Sequence, residues 1–327
     1  FRKGKHMIVA LGAFDGFHRG HALLFERARK LALLHSAANA SEDWTVVTFS
    51  PHPDSVVLGD SVRSLFSEEE RDILARFLNV PDVLKIPFDD ALALMSPDEF
   101  ITLLESLLPV TGIVVGDDFR FGRNRKGDAA FLRETARRKG WFFEIVDSLV
   151  VNGAKVGSSS IKKLVSAGDV VGAKTLLGYP FFFRGRVVPG DGRGRTLGFP
   201  TANIRYPEKK IIPERGVYAA SVLIGSEWRR GALNIGYNPT FLEPSGAPRF
   251  ETYVLDMQES LYGKTLTVFL ESYLRPEMKF DTTGGLLRRM EQDVQEVRSW
   301  FERTRALSAD VYRLLSKAFS GFERVAT

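Results

Sequence analysis

The chain has 327 residues with no cysteine, and 45 lysines and arginines stand against 40 aspartates and glutamates. This length indicates two domains, and the lack of cysteine excludes disulfides and thiolate metal sites and predicts a cytoplasmic location. The dispersed net charge of +5 favours neither nucleic-acid binding nor a basic tail, and no apolar run approaches the ~20 residues that cross a membrane. The oligomeric state is left open, a homo-oligomer included.

The first half of the chain alternates apolar strands with amphipathic helices. Five strands are predicted, at residues 7–14, 44–50, 83–88, 112–119 and 142–150. Helices are predicted directly after the first strand and at residues 67–77, 96–108 and 128–139. Two of them open with capping boxes, Ser67 with Glu70 and Ser96 with Glu99. Strands separated by helices predict a doubly wound parallel α/β sheet.

From residue 181 to residue 275 short β-rich runs replace this alternation. Six strands are predicted, at residues 181–188, 201–206, 217–224, 230–235, 250–256 and 266–274. Because no helical pattern intervenes, they predict an antiparallel six-stranded β-barrel, followed by two C-terminal helices. The first of these helices has an apolar stripe from Leu287 to Phe301, and the second begins at Ser308.

A short helical stretch at residues 160–177 is predicted to link the two halves. It ends at a Gly-Tyr-Pro sequence, residues 178–180, which favours a turn. We therefore predict two domains, at residues 1–178 and 179–327.

The connection between the first strand and the first helix has an unusual sequence, GAFDGFHRGH at residues 12–21. Glycines allow close approach of a ligand to the backbone, and a helix N-terminus favours an anion such as phosphate. His18 and His21 share a face of the first helical turn. A lone His-x-x-His is also compatible with a metal pair, but no third ligand is near in sequence and the glycine-rich setting favours phosphate.

Three further clusters accompany this loop. Residues 48–53 (TFSPHP) end the second strand, residues 116–122 (GDDFRFG) end the fourth, and residues 157–162 (GSSSIK) open a helix with hydroxyl groups. Taken singly, His52 is more often structural, and Asp117 and Asp118 are compatible with a turn. Carboxyl ends of parallel strands meet at one edge of the sheet, so together the clusters favour a nucleotide site.

On residues 18–21, 51–53 and 116–122, in this order, the first half resembles the adenylyltransferase domain of the bacterial bifunctional riboflavin kinase/FAD synthetase family. The resemblance implies a Rossmann-like nucleotidylyltransferase domain that converts FMN and ATP to FAD and pyrophosphate, with His18 and His21 as catalytic donors. It also implies a set of residues that bind ATP and its phosphates: Gly12, Phe14, Asp15, Gly16, Gly20, His52, Asp118, Ser158, Ser159 and Lys162.

The chain departs from this family at residues 157–162. The family usually has Ser-Ser-Thr-Arg-Ile-Arg there, and this chain has Gly-Ser-Ser-Ser-Ile-Lys. A planar arginine clamp is lost, and Lys162 supplies only a point charge in place of the second arginine. A riboflavin kinase with an impaired adenylyltransferase half is therefore the first alternative, although we favour an active domain.

Residues 190–203 (GDGRGRTLGFPTAN) form the second informative stretch. Beyond Pro200 an extended chain puts Thr201 and Asn203 on one strand face, where two oxygen ligands suit Mg²⁺. A glycine-rich hairpin without function is the alternative. The stretch resembles the riboflavin kinase signature of the same family. That resemblance implies a set of residues that bind the ATP phosphates: Gly190, Gly192, Arg193, Gly194, Arg195, Gly198 and Pro200.

Further blocks resemble this family, at residues 216–218, 234–236, 239–240, 251–256, 262–264 and 279–280. The resemblance implies that Glu251 is the base that takes the proton of the riboflavin 5′-hydroxyl; without it, Glu251 would be interpreted as a solvated strand residue. It further implies ATP as co-substrate, Mg²⁺ as cofactor, and riboflavin, FMN and FAD as substrates and products. A non-catalytic flavin-binding module is the second alternative.

Overall fold

A computed structural model of the chain describes residues 6–35, 43–59, 62–190, 194, 198–236, 248–304 and 309–323. The chain divides into two compact units, Phe1–Ser158 and Ser159–Thr327, and each is described by itself. Our domain boundary between residues 178 and 179 stays a prediction.

The first unit is built on a five-stranded sheet in which every pair of neighbours is parallel. Its strands are β1 (Met7–Leu11), β2 (Trp44–Ser50), β3 (Val83–Pro87), β4 (Val110–Gly116) and β5 (Phe142–Val146). They lie in the order β3-β2-β1-β4-β5, and every residue of the central strand β1 is buried. The predicted doubly wound α/β fold is confirmed. Because the strand order reverses between β1 and β4, the crevice for a ligand lies beyond their carboxyl ends.

Within the described part of this unit lie six α-helices: α1 (Arg19–His35), α2 (Pro53–Val57), α3 (Glu68–Phe77), α4 (Asp90–Leu94), α5 (Pro97–Leu107) and α6 (Ala129–Lys139). Both predicted capping boxes, on α3 and α5, are present. The single-turn helices α2 and α4 and a small hairpin, β6 (Val150–Val151) with β7 (Ala154–Lys155), were not predicted. These elements are too short to show a hydrophobic period.

Two helices precede the barrel, α7 (Ser158–Ser166) and α8 (Val170–Leu177). The prediction of one helical stretch over residues 160–177 is therefore wrong. Gly168 adopts a left-handed φ of 77°, and Asp169 starts a new helix by accepting a hydrogen bond from the Gly172 N–H at 2.8 Å. Because the apolar periodicity continues through this break, the sequence pattern did not indicate that the helix ends there.

The second unit contains a closed antiparallel barrel, as predicted. Its strands are β8 (Phe182–Val188), β9 (Thr201–Ile204), β10 (Gly216–Ile224), β11 (Glu227–Gly236), β12 (Arg249–Val254) and β13 (Thr265–Arg275). They follow each other around the barrel in the order β10-β11-β12-β9-β8-β13. Along β12, buried Phe250, Thr252 and Val254 alternate with half-exposed residues. This alternation separates a packed interior from an outer face that can carry chemistry.

Two helices follow the barrel, α9 (Thr283–Arg303) and α10 (Ala309–Glu323). Val297 and Phe301 of the predicted apolar stripe on α9 are buried. Asp293 is buried as well, which the apolar pattern does not indicate. Its carboxylate accepts two hydrogen bonds from the Arg275 guanidinium, at 2.7 and 2.5 Å, and one from Arg289 at 3.0 Å. Paired in this way, a buried charge is tolerated.

A second buried carboxylate, that of Glu271, fastens α8 and α10 to the barrel. Glu271 is 1% exposed and accepts hydrogen bonds from Lys174 at 3.2 Å, from the Ser221 hydroxyl at 2.9 Å and from the Tyr312 hydroxyl. Burial next to this carboxylate raises the pKa of the Tyr312 phenol, so the phenol stays a donor. Among the described helices, none is long and apolar enough to cross a membrane.

Candidate active sites

The loop between β1 and α1 packs so tightly that its glycines are required. Phe14 is buried with a φ of 44°, a conformation that non-glycine residues rarely adopt. A Cβ at Gly12 would lie 2.7 Å from the Phe14 ring, and one at Gly16 would lie 2.6 Å from the Leu65 side chain. These contacts fix the path of the chain at the carboxyl end of the central strand.

Two side-chain hydrogen bonds hold the same loop. The Asp15 carboxylate accepts a hydrogen bond from the Leu65 N–H at 2.9 Å, and the Thr48 hydroxyl of β2 donates to the Ala13 carbonyl at 2.9 Å. In this structure Asp15 therefore stabilises the loop. Its contact with ATP stays a prediction. A strained loop persists only where surrounding contacts over-determine it, which is a common property of functional sites.

His18 and His21 stack on each other at the start of α1. Their ring centroids are 3.5 Å apart, and the His21 backbone N–H donates to His18 Nδ1 at 3.3 Å. Because Nδ1 accepts, the proton of the neutral His18 ring is on Nε2, which can donate to a ligand. A Cβ at Gly20 would lie 3.2 Å from His18 Nδ1, so Gly20 allows the ring to fold back in this way.

Burial keeps both imidazoles neutral near pH 7. Desolvation lowers the pKa of His18 to about 4, although the nearby Asp15 charge opposes the shift. Desolvation also lowers the pKa of His21 well below its ordinary value, and His18 adds to this effect. His21 Nδ1 is buried and has no hydrogen-bond partner among the described residues. The pair can donate hydrogen bonds without contributing positive charge.

The lowered pKa of His18 predicts a pH-dependent stability. The unfolded chain protonates this residue near pH 6.5 and the folded chain only near pH 4, so between these values the unfolded state binds more protons. The free energy of unfolding should fall as the pH falls through this window, by about 3 kcal/mol at most from this residue. Chemical denaturation at pH 7 and near pH 4.5 measures the free energy of unfolding at both values. Between them, this free energy should decrease less for His18→Asn than for the unchanged chain. Equal losses would contradict a neutral, buried His18.

His52 lies just beyond the end of β2, as predicted, but its side chain has a structural contact. Its Nδ1 accepts a hydrogen bond from the Asp54 N–H at 3.2 Å and thereby caps α2. Ser158, Ser159 and Lys162 lie within the first five residues of α7. The nucleotide-binding roles of all four residues stay predictions.

The two aspartates after β4 have different surroundings. Asp117 accepts a hydrogen bond from the Ser148 hydroxyl at 2.6 Å, and this bond lowers the pKa of the carboxyl. Asp118 is exposed, pairs with Lys155 of β7 at 2.8 Å, and its charge reaches His18. Asp118, predicted to lie by the nucleotide, is therefore electrostatically coupled to His18. Lys155 was missed because a two-residue strand gives no sequence signal.

The second site is on the outer face of the barrel. Thr201 and Asn203 of β9 are half-exposed and alternate with buried Ala202 and Ile204, so the two polar residues share a face, as predicted. The register between β9 and β12 pairs Asn203 with Glu251. Residues paired across antiparallel strands point to the same face, with Cβ atoms about 4.5–5.5 Å apart. The structure thus brings the predicted base beside the predicted metal ligands.

A cavity of about 640 Å³ opens beside Thr201 and Asn203. The predicted phosphate-binding residues Gly194, Gly198 and Pro200 line it, and residues 256–262 form another part of its wall. This volume is typical of a small-molecule site. Asp256 and Tyr262 belong to the blocks that resemble the family, whereas residues 257–261 have no role in the sequence prediction, because a loop without periodicity does not show which cavity it lines. Gly192, Arg193 and Arg195 lie outside the described residues.

Comparisons with known proteins agree with this arrangement. The FAD synthetase family model matches residues 2–160, and the riboflavin kinase family model matches residues 177–301. The chain is 35% identical over 301 residues to the bifunctional riboflavin kinase/FMN adenylyltransferase of Listeria monocytogenes, covering 90% of this chain and 93% of that one. The Bacillus subtilis enzyme of the same name is 32% identical, with 91% and 93% covered.

The chain also resembles a solved structure over most of its length. A crystal structure described as a macrolide-efflux protein from Streptococcus pneumoniae matches with a TM-score of 0.81 and 30% identity, over 90% of this chain and 94% of that one. Fold, sites and matches together define a two-domain transferase that combines a FAD synthetase domain with a riboflavin kinase domain. The chain belongs to the bifunctional riboflavin kinase/FMN adenylyltransferase family.

Proposed function

We propose that this chain carries out two successive reactions. Riboflavin and ATP give FMN and ADP on the barrel, and FMN and ATP give FAD and pyrophosphate at the carboxyl edge of the parallel sheet. The observation that carries the proposal is the pairing of Glu251 with Asn203 beside the cavity. Flavin binding alone requires no such base, which argues against a non-catalytic module.

In the barrel, Glu251 takes the proton of the riboflavin 5′-hydroxyl as its oxygen attacks the γ-phosphorus of ATP and ADP leaves. Glu251 is half-buried, and its neighbours Phe250 and Thr252 point into the barrel core. The rigid strand fixes the base relative to Asn203, and such positioning is the main contribution a protein makes to phosphoryl transfer.

Thr201 and Asn203 are the residues that would hold Mg²⁺. They offer one hydroxyl and one amide oxygen on a single face, and no cluster of three or more His, Cys, Asp or Glu side chains suited to a metal occurs among the described residues. This donor set fits an ion that keeps waters and substrate phosphates as its other ligands. When bound, Mg²⁺ would neutralise charge on the β- and γ-phosphates of ATP.

At the sheet edge, a phosphate oxygen of FMN attacks the α-phosphorus of ATP, and the bond to pyrophosphate breaks. The attacking phosphate is already ionised, so the step requires no general base. It requires donors that stabilise the charge on the phosphate oxygens, and a neutral His18 with its proton on Nε2 is such a donor. Lys162, at the start of α7, is proposed to supply positive charge in place of the missing arginine.

Incubation of the chain with riboflavin, ATP and Mg²⁺, followed by chromatographic separation of the flavins, tests the proposal. FMN should appear first and FAD should follow. FMN without FAD would favour the kinase-only alternative, and tight flavin binding with neither product would favour the binding module.

The proposal also includes riboflavin, FMN and ATP as small-molecule partners, and a cytoplasmic location. The proposed location rests on the absence of cysteine.

Gly190 offers a separate test of the metal-binding residues. A Cβ at this position would lie 2.1 Å from the Asn203 amide nitrogen. Because that amide ends a flexible side chain, Gly190→Ala should displace it without unfolding the barrel. We expect the rate of FMN formation to fall about ten-fold, which is the effect of losing one polar contact. The melting temperature should not change. Gly284→Ala, at a position with only ordinary contacts, is the control, and an unaffected Gly190→Ala rate would contradict the role of Asn203.

A further inference from the structure

Glu251 lies between two amide side chains on the outer face of the barrel. The register of β12 with β9 pairs it with Asn203, and the register of β12 with β11 pairs it with Asn234. Both pairings place the side chains on the face that carries Glu251, at the spacing of cross-strand neighbours. The carboxylate therefore has Asn203 on one side and Asn234 on the other.

The two sides of Glu251 are not equivalent. The cavity beside the barrel is lined by Thr201, Asn203 and residues 256–262, whereas none of the described residues of β11 lines it. ATP and its metal ion are assigned to that cavity side. In phosphoryl transfer the attacking and leaving oxygens lie roughly in line, on opposite sides of the phosphorus. The hydroxyl substrate must therefore approach Glu251 from the side of Asn234.

Asn234 has the chemistry that such a substrate needs. It is half-buried between the fully buried Leu233 and Ile235, and its amide makes no hydrogen bond within the part of the chain that the structure describes. An asparagine offers two donors and one acceptor, which complement a hydroxyl that both donates and accepts. The uncharged amide suits a sugar-alcohol chain better than a phosphate group.

We infer that Asn234 is a substrate-binding residue that hydrogen-bonds the 4′-hydroxyl of the riboflavin ribityl chain and so holds the adjacent 5′-hydroxyl at Glu251. The inference rests on the proposed kinase function of the barrel. Within that function, Asn234 is the residue that recognises the ribityl chain of riboflavin. Asn203 and Asn234 then have opposite tasks, one toward ATP and one toward riboflavin.

The test compares riboflavin with an analogue that lacks the 4′-hydroxyl. Riboflavin binding without ATP is followed by quenching of flavin fluorescence, and phosphorylation is followed by steady-state kinetics. Asn234→Ala should raise both the Kd and the KM for riboflavin about ten-fold, as for loss of one partly buried hydrogen bond. The KM for ATP should change less than two-fold. The analogue should bind equally weakly to the unchanged chain and to Asn234→Ala, because neither complex contains the hydrogen bond to the 4′-hydroxyl.

Two variants complete the design. Asn234→Ser keeps a side chain that donates and accepts, so it should recover part of the riboflavin affinity, whereas a purely structural role would not separate riboflavin from the analogue. Arg229→Ala, an exposed position on the same strand that pairs with Glu227, is the control and should leave both affinities unchanged.

An unchanged riboflavin Kd in Asn234→Ala would overturn the inference, and so would an equal loss for riboflavin and the analogue. The binding measurement requires no turnover. A chain that binds riboflavin but forms no FMN would refute the kinase function and would still show whether Asn234 binds the ribityl chain.

Discussion

Replacement of Glu251 by glutamine should lower the rate of FMN formation by about two to four orders of magnitude, the usual contribution of a general base. Glutamine keeps the shape of the side chain but cannot take the hydroxyl proton. The residue is half-buried on the outer face of β12, so the barrel core is untouched and riboflavin binding should stay close to that of the unchanged chain. Chromatographic measurement of kcat for FMN formation, with fluorescence titration of riboflavin, separates the two effects.

The same preparation contains its own control. FAD formation from added FMN should be unaffected by Glu251→Gln, because that reaction is assigned to the carboxyl edge of the parallel sheet. Glu227→Gln removes an exposed carboxylate on the neighbouring strand β11 and should leave both activities unchanged. If the kcat of Glu251→Gln for FMN formation stayed within three-fold of the original value, Glu251 would not be the base.

The second large effect is expected at the histidine pair. Replacing His18 or His21 by alanine should lower FAD formation from FMN by about 10²–10³-fold, the cost of removing one preorganised donor to a developing charge. The rings stack at 3.5 Å and His18 accepts from the His21 backbone, so each residue also positions the other. We therefore expect the double variant to lose less than the product of the single losses.

The experiment measures pyrophosphate release and FAD formation with FMN and ATP as substrates. FMN formation from riboflavin serves as the internal control. His35→Ala provides a matched substitution, because His35 ends the same helix and stacks on Phe142, and it should leave FAD formation intact. FAD formation at the original rate in both His18→Ala and His21→Ala would contradict the assignment of this loop.

Much of the fold could be predicted from local pattern. The second strand, at residues 44–50, has the bounds of β2, because its run of β-branched and aromatic residues is typical of a buried strand. The first strand was predicted to reach Phe14 but ends at Leu11, because Phe14 turns to a positive φ while its side chain stays apolar. Hydropathy reports burial of a side chain and not the direction of the backbone. Gly168 divided the linking helix for a similar reason.

The sites could be predicted only as far as local geometry allows. Thr201 and Asn203 share a face because strand side chains alternate, which two positions in one strand suffice to show. That Asn234 faces Glu251 depends on register between strands, and register is set by residues distant in sequence. The neutral state of His18 depends on burial by the surrounding fold. Motifs therefore supplied the candidate residues, and tertiary structure decided which of them meet and in which protonation state.

The hydrogen bonds around Glu271 determine where the second unit can be cut. The riboflavin kinase match ends at residue 301, whereas the Tyr312 hydroxyl donates to Glu271 and the Phe319 ring covers Phe269. A chain shortened after residue 301 would keep every residue of the proposed catalytic face. It would also leave a barrel with an under-paired inner charge and exposed aromatic rings, both of which promote aggregation. A preparation of the isolated kinase therefore has to include α10, although the helix lies outside the family domain.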